Sequence, residues 1–347
     1  MTDEKVLHWV EGRAGRLRLN RPEALHALTE EMCQTLTEAL LAWRADPAID
    51  LIILDHAPDT RGFCAGGDVV KLAEGAAAGD DSGASFFRTE YRLNDLIFHY
   101  PKPYVAFIDG IVMGGGVGIS VHGSHRVATE RTVFAMPEVG IGLLPDVGGG
   151  WFLPRLAGRL GYWLGLTGAR LKGDDVTAAG VATHFAASDA CEALKADLAK
   201  TGEGALDAFT SASEGSFAAH RAAIEACFAH ESVEAIREAL IADGGDWASK
   251  QAAAIDAASP LTLKVALRQL SEGERLTNFK DNMRMEYRLV TRMIKTRNFQ
   301  EGIRAALIDK TKDPKWEPGS LAEVDDAHLD NLFASLGDQE LGFLQAD

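Results

Sequence analysis

Glu138 and Asp146 are the two acidic residues of an otherwise apolar, glycine-rich segment, MPEVGIGLLPDVGGG, at residues 136–150. A carboxyl group in uncharged surroundings holds its proton more tightly than one in water, which suits it to general acid–base work. Two earlier segments are also short of large side chains. Residues 62–68 read GFCAGGD, and residues 110–124 read GIVMGGGVGISVHGS. Such runs let a ligand reach backbone N–H groups, which at the start of a helix also lie at the positive end of its dipole. Gly114, Gly115 and Gly116 open an apolar helix at a cost of roughly 1 kcal/mol per residue relative to Ala. Close packing of that helix on a strand would account for the run. So would a second N–H aimed at the atom gripped by the first loop, because two such donors stabilise charge developing on a carbonyl oxygen.

The elements that must position these groups follow from the pattern around them. Residues 6–20 alternate loosely about a Gly12–Gly15 turn and predict a hairpin. Thr29 caps a helix with Met32, Leu36, Ala39, Leu40 and Trp43 on one face. IDLIILDHA (49–57) and YVAFIDG (104–110) predict buried strands, and HRVATE (125–130) and TVFAMPE (132–138) look like a third strand and a short fourth. Residues 69–100 read as helix interrupted by GAAAGDDSGAS. The recurring order of strand, glycine loop and helix implies an α/β architecture with stacked parallel strands. From about residue 190 the sequence turns Ala-, Glu- and Lys-rich and helical, with Ser259-Pro260 starting one helix and Trp316 anchoring a Pro-rich tail. A soft boundary near 195 divides a catalytic core, 1–195, from a helical region, 196–347.

Several chemistries are disfavoured. Ile119 stands where a dinucleotide fingerprint needs its last glycine, and the chain has neither a phosphate-loop motif nor a G-x-S-x-G nucleophile elbow. Cys64 with His122 as its base would offer a thiol route, but nothing in the sequence depresses the thiol, and His122 and His125 read as ordinary structural histidines. The 347 residues carry 35 Lys and Arg against 51 Asp and Glu, a net charge of −16. That balance argues against nucleic acid and against an anionic membrane surface as partners. A small anionic ligand remains compatible. Cys33, Cys64, Cys191 and Cys227 lack metal-ligand spacing, so no metal is expected, and they suit a reducing compartment. The N-terminal residues show neither an apolar signal core nor an Arg-rich amphipathic pattern, and the expectation is a cytoplasmic location.

The segments LNRPEALHALTEEM, GFCAGGDV, DGIVMGGGVGIS and FAMPEVGIGLLPDVGGGWFLPRL, with the tail NFQEGIRAALIDKTKDPKWEP, resemble the crotonase (enoyl-CoA hydratase/isomerase) superfamily across essentially the whole chain. PDVGGGWFLPRL and the tail resemble its thioester-hydrolase branch. The resemblance implies a crotonase-type spiral of repeated β-β-α units with a helical C-terminal region. It implies hydrolysis of a short 3-hydroxyacyl-CoA thioester, 3-hydroxyisobutyryl-CoA foremost, within valine breakdown. CoA is then part of the substrate and no cofactor is implied. The oxyanion-hole amides fall on Gly67 and Gly115, and the acyl-CoA would run along Ala24, Leu25, Ala65, Gly66, Asp68, Val69 and Gly114. Hydratases of the superfamily use two glutamates; the later falls on Glu138, whereas the earlier falls on Gly118. Asp146 replaces a small residue of those hydratases, and the hydrolase resemblance pairs it with Glu138. Glu138 would activate water or attack the carbonyl directly, and Asp146 would orient the substrate hydroxyl or pass a proton to the departing thiol. Arg21, Lys71, Lys264 and Lys280 are the cations considered for the CoA phosphates. A homo-oligomer is compatible with the resemblance, but the helical addition at 195–255 and the long tail could block trimer packing, so the oligomeric state stays open. Two other readings stay open: an enoyl-CoA hydratase or isomerase, and a non-catalytic acyl-CoA-binding protein.

Overall fold

The computed structural model describes residues 4–211 and 213–344, which form two compact units, each built from separated stretches of chain. The first comprises Met1–Gly67, Arg92–Ala135 and Arg170–Ser216; the second comprises Asp68–Tyr91, Met136–Ala169 and Phe217–Asp347.

Among the described residues the first unit holds ten strands: β1 (Val6–Glu11), β2 (Ala14–Leu19), β3 (Leu51–His56), β4 (Gly62–Cys64), β5 (Tyr104–Phe107), β6 (Ile111–Met113), β7 (His125–Ala128), β8 (Val133–Ala135), β9 (Leu171–Lys172) and β10 (His184–Phe185). The expected hairpin is β1–β2, the expected buried runs are β3 and β5, and the expected third strand is β7. A six-stranded sheet has the order β1-β2-β3-β5-β7-β10 and is parallel beyond the hairpin. A four-stranded sheet has the order β4-β6-β8-β9, with β4, β6 and β8 parallel. Successive strand pairs β3/β4, β5/β6 and β7/β8 therefore send one strand to each sheet, and each pair stacks on the one before it. The α/β expectation with stacked parallel strands is met in this form.

Strands covered on both faces need continuous apolar sequence, which is why LIIL of β3 and YVAF of β5 are wholly buried. The helix Cys191–Thr201 lays Leu194, Leu198 and Ala199 over Ile53, Val105, Phe107 and Val127 of the larger sheet. One polar cluster interrupts that burial. Asp55, at the end of β3, accepts from Arg16 at 3.0 Å, from Arg18 at 2.6 and 2.7 Å and from Lys195 at 2.8 Å. Burial pushes its carboxyl up, but Arg18 and Lys195 outweigh that and hold it below the usual carboxylate range. Removing the anion leaves buried cations uncompensated. Asp55→Asn is expected to cost about 3–5 kcal/mol of stability in denaturant titration; a loss within experimental error would show that the cluster contributes nothing.

The second unit is helical. Ser259 caps the helix Pro260–Arg275 by accepting from the Thr262 amide, with Pro260 in the first turn, as the dipeptide predicts. That helix packs on the short helices Gly149–Phe152 and Leu160–Thr167. The interrupted helix expected at 69–100 is two helices, Val69–Ala78 and Ser82–Phe98. In the first unit, the apolar helix expected after Gly114 is a single turn, Gly115–Gly118. Three of its four residues are glycine, the poorest helix former after proline, and the turn does not propagate. Among the described residues no helix is long and apolar enough to cross a membrane, and the four cysteines are buried free thiols.

Candidate active site

In the first unit, the two glycine turns follow β4 and β6. These strands are adjacent and parallel, with Gly62 opposite Ile111 and Cys64 opposite Val112. Their C-terminal ends lie side by side, where loops of open parallel sheets converge on ligands. Gly66 has a φ of 116° and Gly114 a φ of 47°, backbone that an L side chain rarely adopts. A Cβ on Gly66 would sit 3.9 Å from the Gly115 nitrogen. Gly116 is pressed against the end of β4, where a Cβ would meet the Cys64 carbonyl oxygen and come within 2.7 Å of the Cys64 Cβ. The glycine run thus lets two backbone turns touch.

A third segment joins them. Leu25 and His26 both have positive φ, after the 3₁₀ turn Pro22–Ala24. The Ala65 amide donates to the Leu25 carbonyl at 3.1 Å, and the Leu28 amide donates to the Gly66 carbonyl at 2.8 Å. Ala24, Leu25, Ala65, Gly66, Gly67, Gly114 and Gly115 are therefore gathered in one unit. His26 pins the turn: its Nδ1 accepts from the Arg21 amide at 2.9 Å, and burial, with His56 nearby, lowers its pKa to about 4. Cys64 donates its thiol to the His26 carbonyl, as a packing residue would. Gly118 is buried in the short helix and supplies no carboxylate. Asp68 and Val69 open the helix Val69–Ala78 of the second unit; Asp68 occupies the N-cap position without a side-chain capping bond.

The acids gather in the second unit. Glu138 opens a 3₁₀ turn, Glu138–Ile141, and is 5% exposed, its Oε2 buried without a hydrogen-bond partner. Asp146 is 4% exposed and accepts from the Tyr91 hydroxyl at 2.8 Å. Glu90 and Glu286 are buried in the same surroundings. Burial raises Glu138 and Glu90 well above the carboxylate range, and the charge of Asp146 raises both further. Asp146 is itself raised by burial to about 6, with the Tyr91 hydroxyl opposing. Burial raises Glu286 to about 7, against the amides of Gly148 and Gly150. Burial and one another's charge thus oppose the simultaneous ionisation of these carboxyls. Among the described residues no group of His, Cys, Asp and Glu is placed to hold a metal ion.

Residues 14–333 match the family model described as enoyl-CoA hydratase/isomerase. The chain belongs to this family. Among its relatives, the mitochondrial 3-hydroxyisobutyryl-CoA hydrolase of Rattus norvegicus is 47% identical over 98% of this chain and 91% of that protein. The Gallus gallus protein of the same name is 46% identical over 97% and 90%. A crystal structure described as a carnitinyl-CoA dehydratase from Mycobacterium thermoresistibile superposes with a TM-score of 0.94 at 41% identity, covering 98% of this chain and 99% of that one. The crotonase fold expected from the sequence is thereby established. The cytoplasmic expectation is corrected: the hydrolase relatives are mitochondrial proteins by name. It rested on the composition of the N-terminal residues, which does not determine a family's compartment.

Some side chains singled out in the sequence have other partners. Arg155, close in sequence to the acids, donates to the carbonyls of Trp151, Gly273 and Leu276. Lys264 pairs with Glu234 at 2.9 Å, and Lys280 lies over the Phe343 ring. Conversely, the sequence reading passed over Glu90, Tyr91 and Glu286. Their signal is a charged residue in core register. Glu90 shares a helix face with Phe86, Phe87, Leu93 and Ile97, and Glu286 shares one with Phe279, Met283, Leu289 and Val290.

Proposed function

We infer that this chain is an acyl-CoA thioester hydrolase that cleaves 3-hydroxyisobutyryl-CoA to 3-hydroxyisobutyrate and CoA. Near-full-length identity to hydrolases of that name carries the reading. The acid pattern agrees with it: Gly118 stands where hydratases carry their earlier glutamate, and Asp146 accompanies Glu138 in one buried cluster. The Gly67 and Gly115 amides take the thioester oxygen and stabilise the charge that develops on it. Glu138 removes a proton from water as it adds to the carbonyl carbon, or attacks that carbon to form a mixed anhydride that water then opens. In either route the C–S bond breaks and the departing thiolate takes up a proton. Asp146 orients the substrate's 3-hydroxyl or delivers that proton. CoA enters as part of the substrate and leaves as the free thiol, and the step needs no resident cofactor. The acyl-CoA lies along Ala24, Leu25, Ala65, Gly66, Asp68, Val69 and Gly114, and the reaction serves valine breakdown.

Release of free thiol from 3-hydroxyisobutyryl-CoA, measured beside hydration of crotonyl-CoA, tests the reading. Thiol release without brisk hydration is expected; hydration without thiol release would replace the reading with a hydratase, and neither with a binding protein.

Where Asp146 orients the 3-hydroxyl it works as an anion, so protonating this carboxyl, which burial raises to about 6, lowers kcat/KM in acid. The Tyr91 hydroxyl favours the ionised form by donating to it. Without that bond the carboxyl keeps its proton to higher pH. Tyr91→Phe is therefore expected to move the acidic limb of the profile upward; a downward or absent shift would remove Tyr91 from the account.

A further inference from the structure

We propose that Glu286 is a positioning residue for Asp146, acting through the backbone turn that follows it. The inference rests on the thioesterase reading, in which Asp146 takes part. Val147, next to Asp146, has a φ of 51°. A β-branched residue is a genuine outlier there, so the surroundings must impose the conformation. Gly148 continues in the same region with a φ of 89°.

The imposing group is one carboxylate from a distant helix. Glu286 accepts from the Gly148 amide at 2.7 Å and from the Gly150 amide at 2.8 Å. Gln269 donates to Glu286 at 3.1 Å and to the Pro145 carbonyl at 2.9 Å. Asn282 donates to Glu286 at 2.9 Å. The chain is thus held on both sides of Asp146, at Pro145 and at Gly148, by two side chains with 0% exposure. Capping the four-residue helix Gly149–Phe152 does not require this arrangement, because a local Ser or Asp would satisfy its amides at far less desolvation cost. Four donors on one buried carboxylate fix a turn, and the turn fixes the direction in which Asp146 leaves the backbone.

The test is a double-mutant cycle on thiol release from 3-hydroxyisobutyryl-CoA. In Glu286→Gln an amide NH₂ faces one of the glycine N–H groups, so the turn loses an anchor. We expect kcat to fall about 10- to 100-fold with KM within about twofold, the scale of a misplaced group. Asp146→Asn is expected to fall at least as far, and adding Glu286→Gln to it to cost no more than about a further twofold, since coupled sites are not additive. A purely structural role would instead multiply the two losses, and that result overturns the proposal. So does an unchanged kcat in either single variant. Should Glu286→Gln fail to fold, Gln269→Leu in the same cycle carries the test, with non-additivity supporting the proposal and multiplication overturning it. Wild-type protein that releases no thiol overturns the thioesterase reading and this inference with it; wild-type turnover with multiplying losses overturns this inference alone.

Discussion

Replacing Glu138 by Gln is expected to lower kcat for thiol release by about a thousandfold, within the range that a positioned acid–base group contributes, and more if the carboxylate is the nucleophile. Gln keeps the shape of the side chain but can neither take nor give the proton. The same substitution gains stability, and the sign follows from the direction of the shift. Burial, and after it the charge of Asp146, raises Glu138 well above its unfolded value. The folded chain therefore holds this proton where the unfolded chain has lost it. The carboxyl imposes no penalty below the unfolded value and an increasing one as pH rises toward the folded value. Glu138→Gln should accordingly show a higher Tm than the parent in mildly alkaline buffer and no advantage in acid. An active variant would remove Glu138 from the mechanism. An inactive variant with a lowered Tm would trace the loss to damaged folding.

Gly116→Ala is expected to lower kcat by about 10² to 10³, the scale of losing one oxyanion donor. Its Cβ meets the Cys64 carbonyl oxygen and comes within 2.7 Å of the Cys64 Cβ. The obstructing atoms are backbone and a buried side chain of β4, which cannot swing away as the tip of a lysine could. The turns carrying Gly67 and Gly115 must then separate, while both amides remain chemically intact. Binding of free CoA, which has no acyl oxygen, should change much less than kcat. Loss of CoA binding in step with turnover would indicate general disorder of the loops. Unchanged kcat would show that the two turns need not touch.

The parallel-strand core and the two glycine turns could be read from the sequence because their signals are local. LIIL and YVAF are continuous apolar runs of strand length, and Gly114–Gly116 is too costly for an ordinary helix start to need no reason. What the sequence could not supply was partnership over distance. Glu286 lies far along the chain from Gly148, and nothing near either residue announces the bond between them. Asp55 looks like the polar end of a strand until Arg16, Arg18 and Lys195 are brought to it by the sheet and by a later helix. Arg155 lies near Asp146 in sequence, yet its guanidinium turns to carbonyls at the end of the helix Pro260–Arg275. The compositional change near 195 follows the last strand, β10, whereas the compact units are drawn by contacts between segments widely separated in sequence. Expectations of strands survived, whereas the helix after Gly114 shortened to one turn and the partners of Glu286 and Asp55 needed the fold.

The most direct test is a crystal structure with a substrate analogue in which a methylene replaces the thioester sulfur, leaving the acyl oxygen in place. The account predicts that oxygen about 2.7–3.1 Å from both the Gly67 and the Gly115 nitrogen atoms, the spacing of an oxyanion hole. An acyl oxygen bound by one amide alone, or by neither, would contradict it.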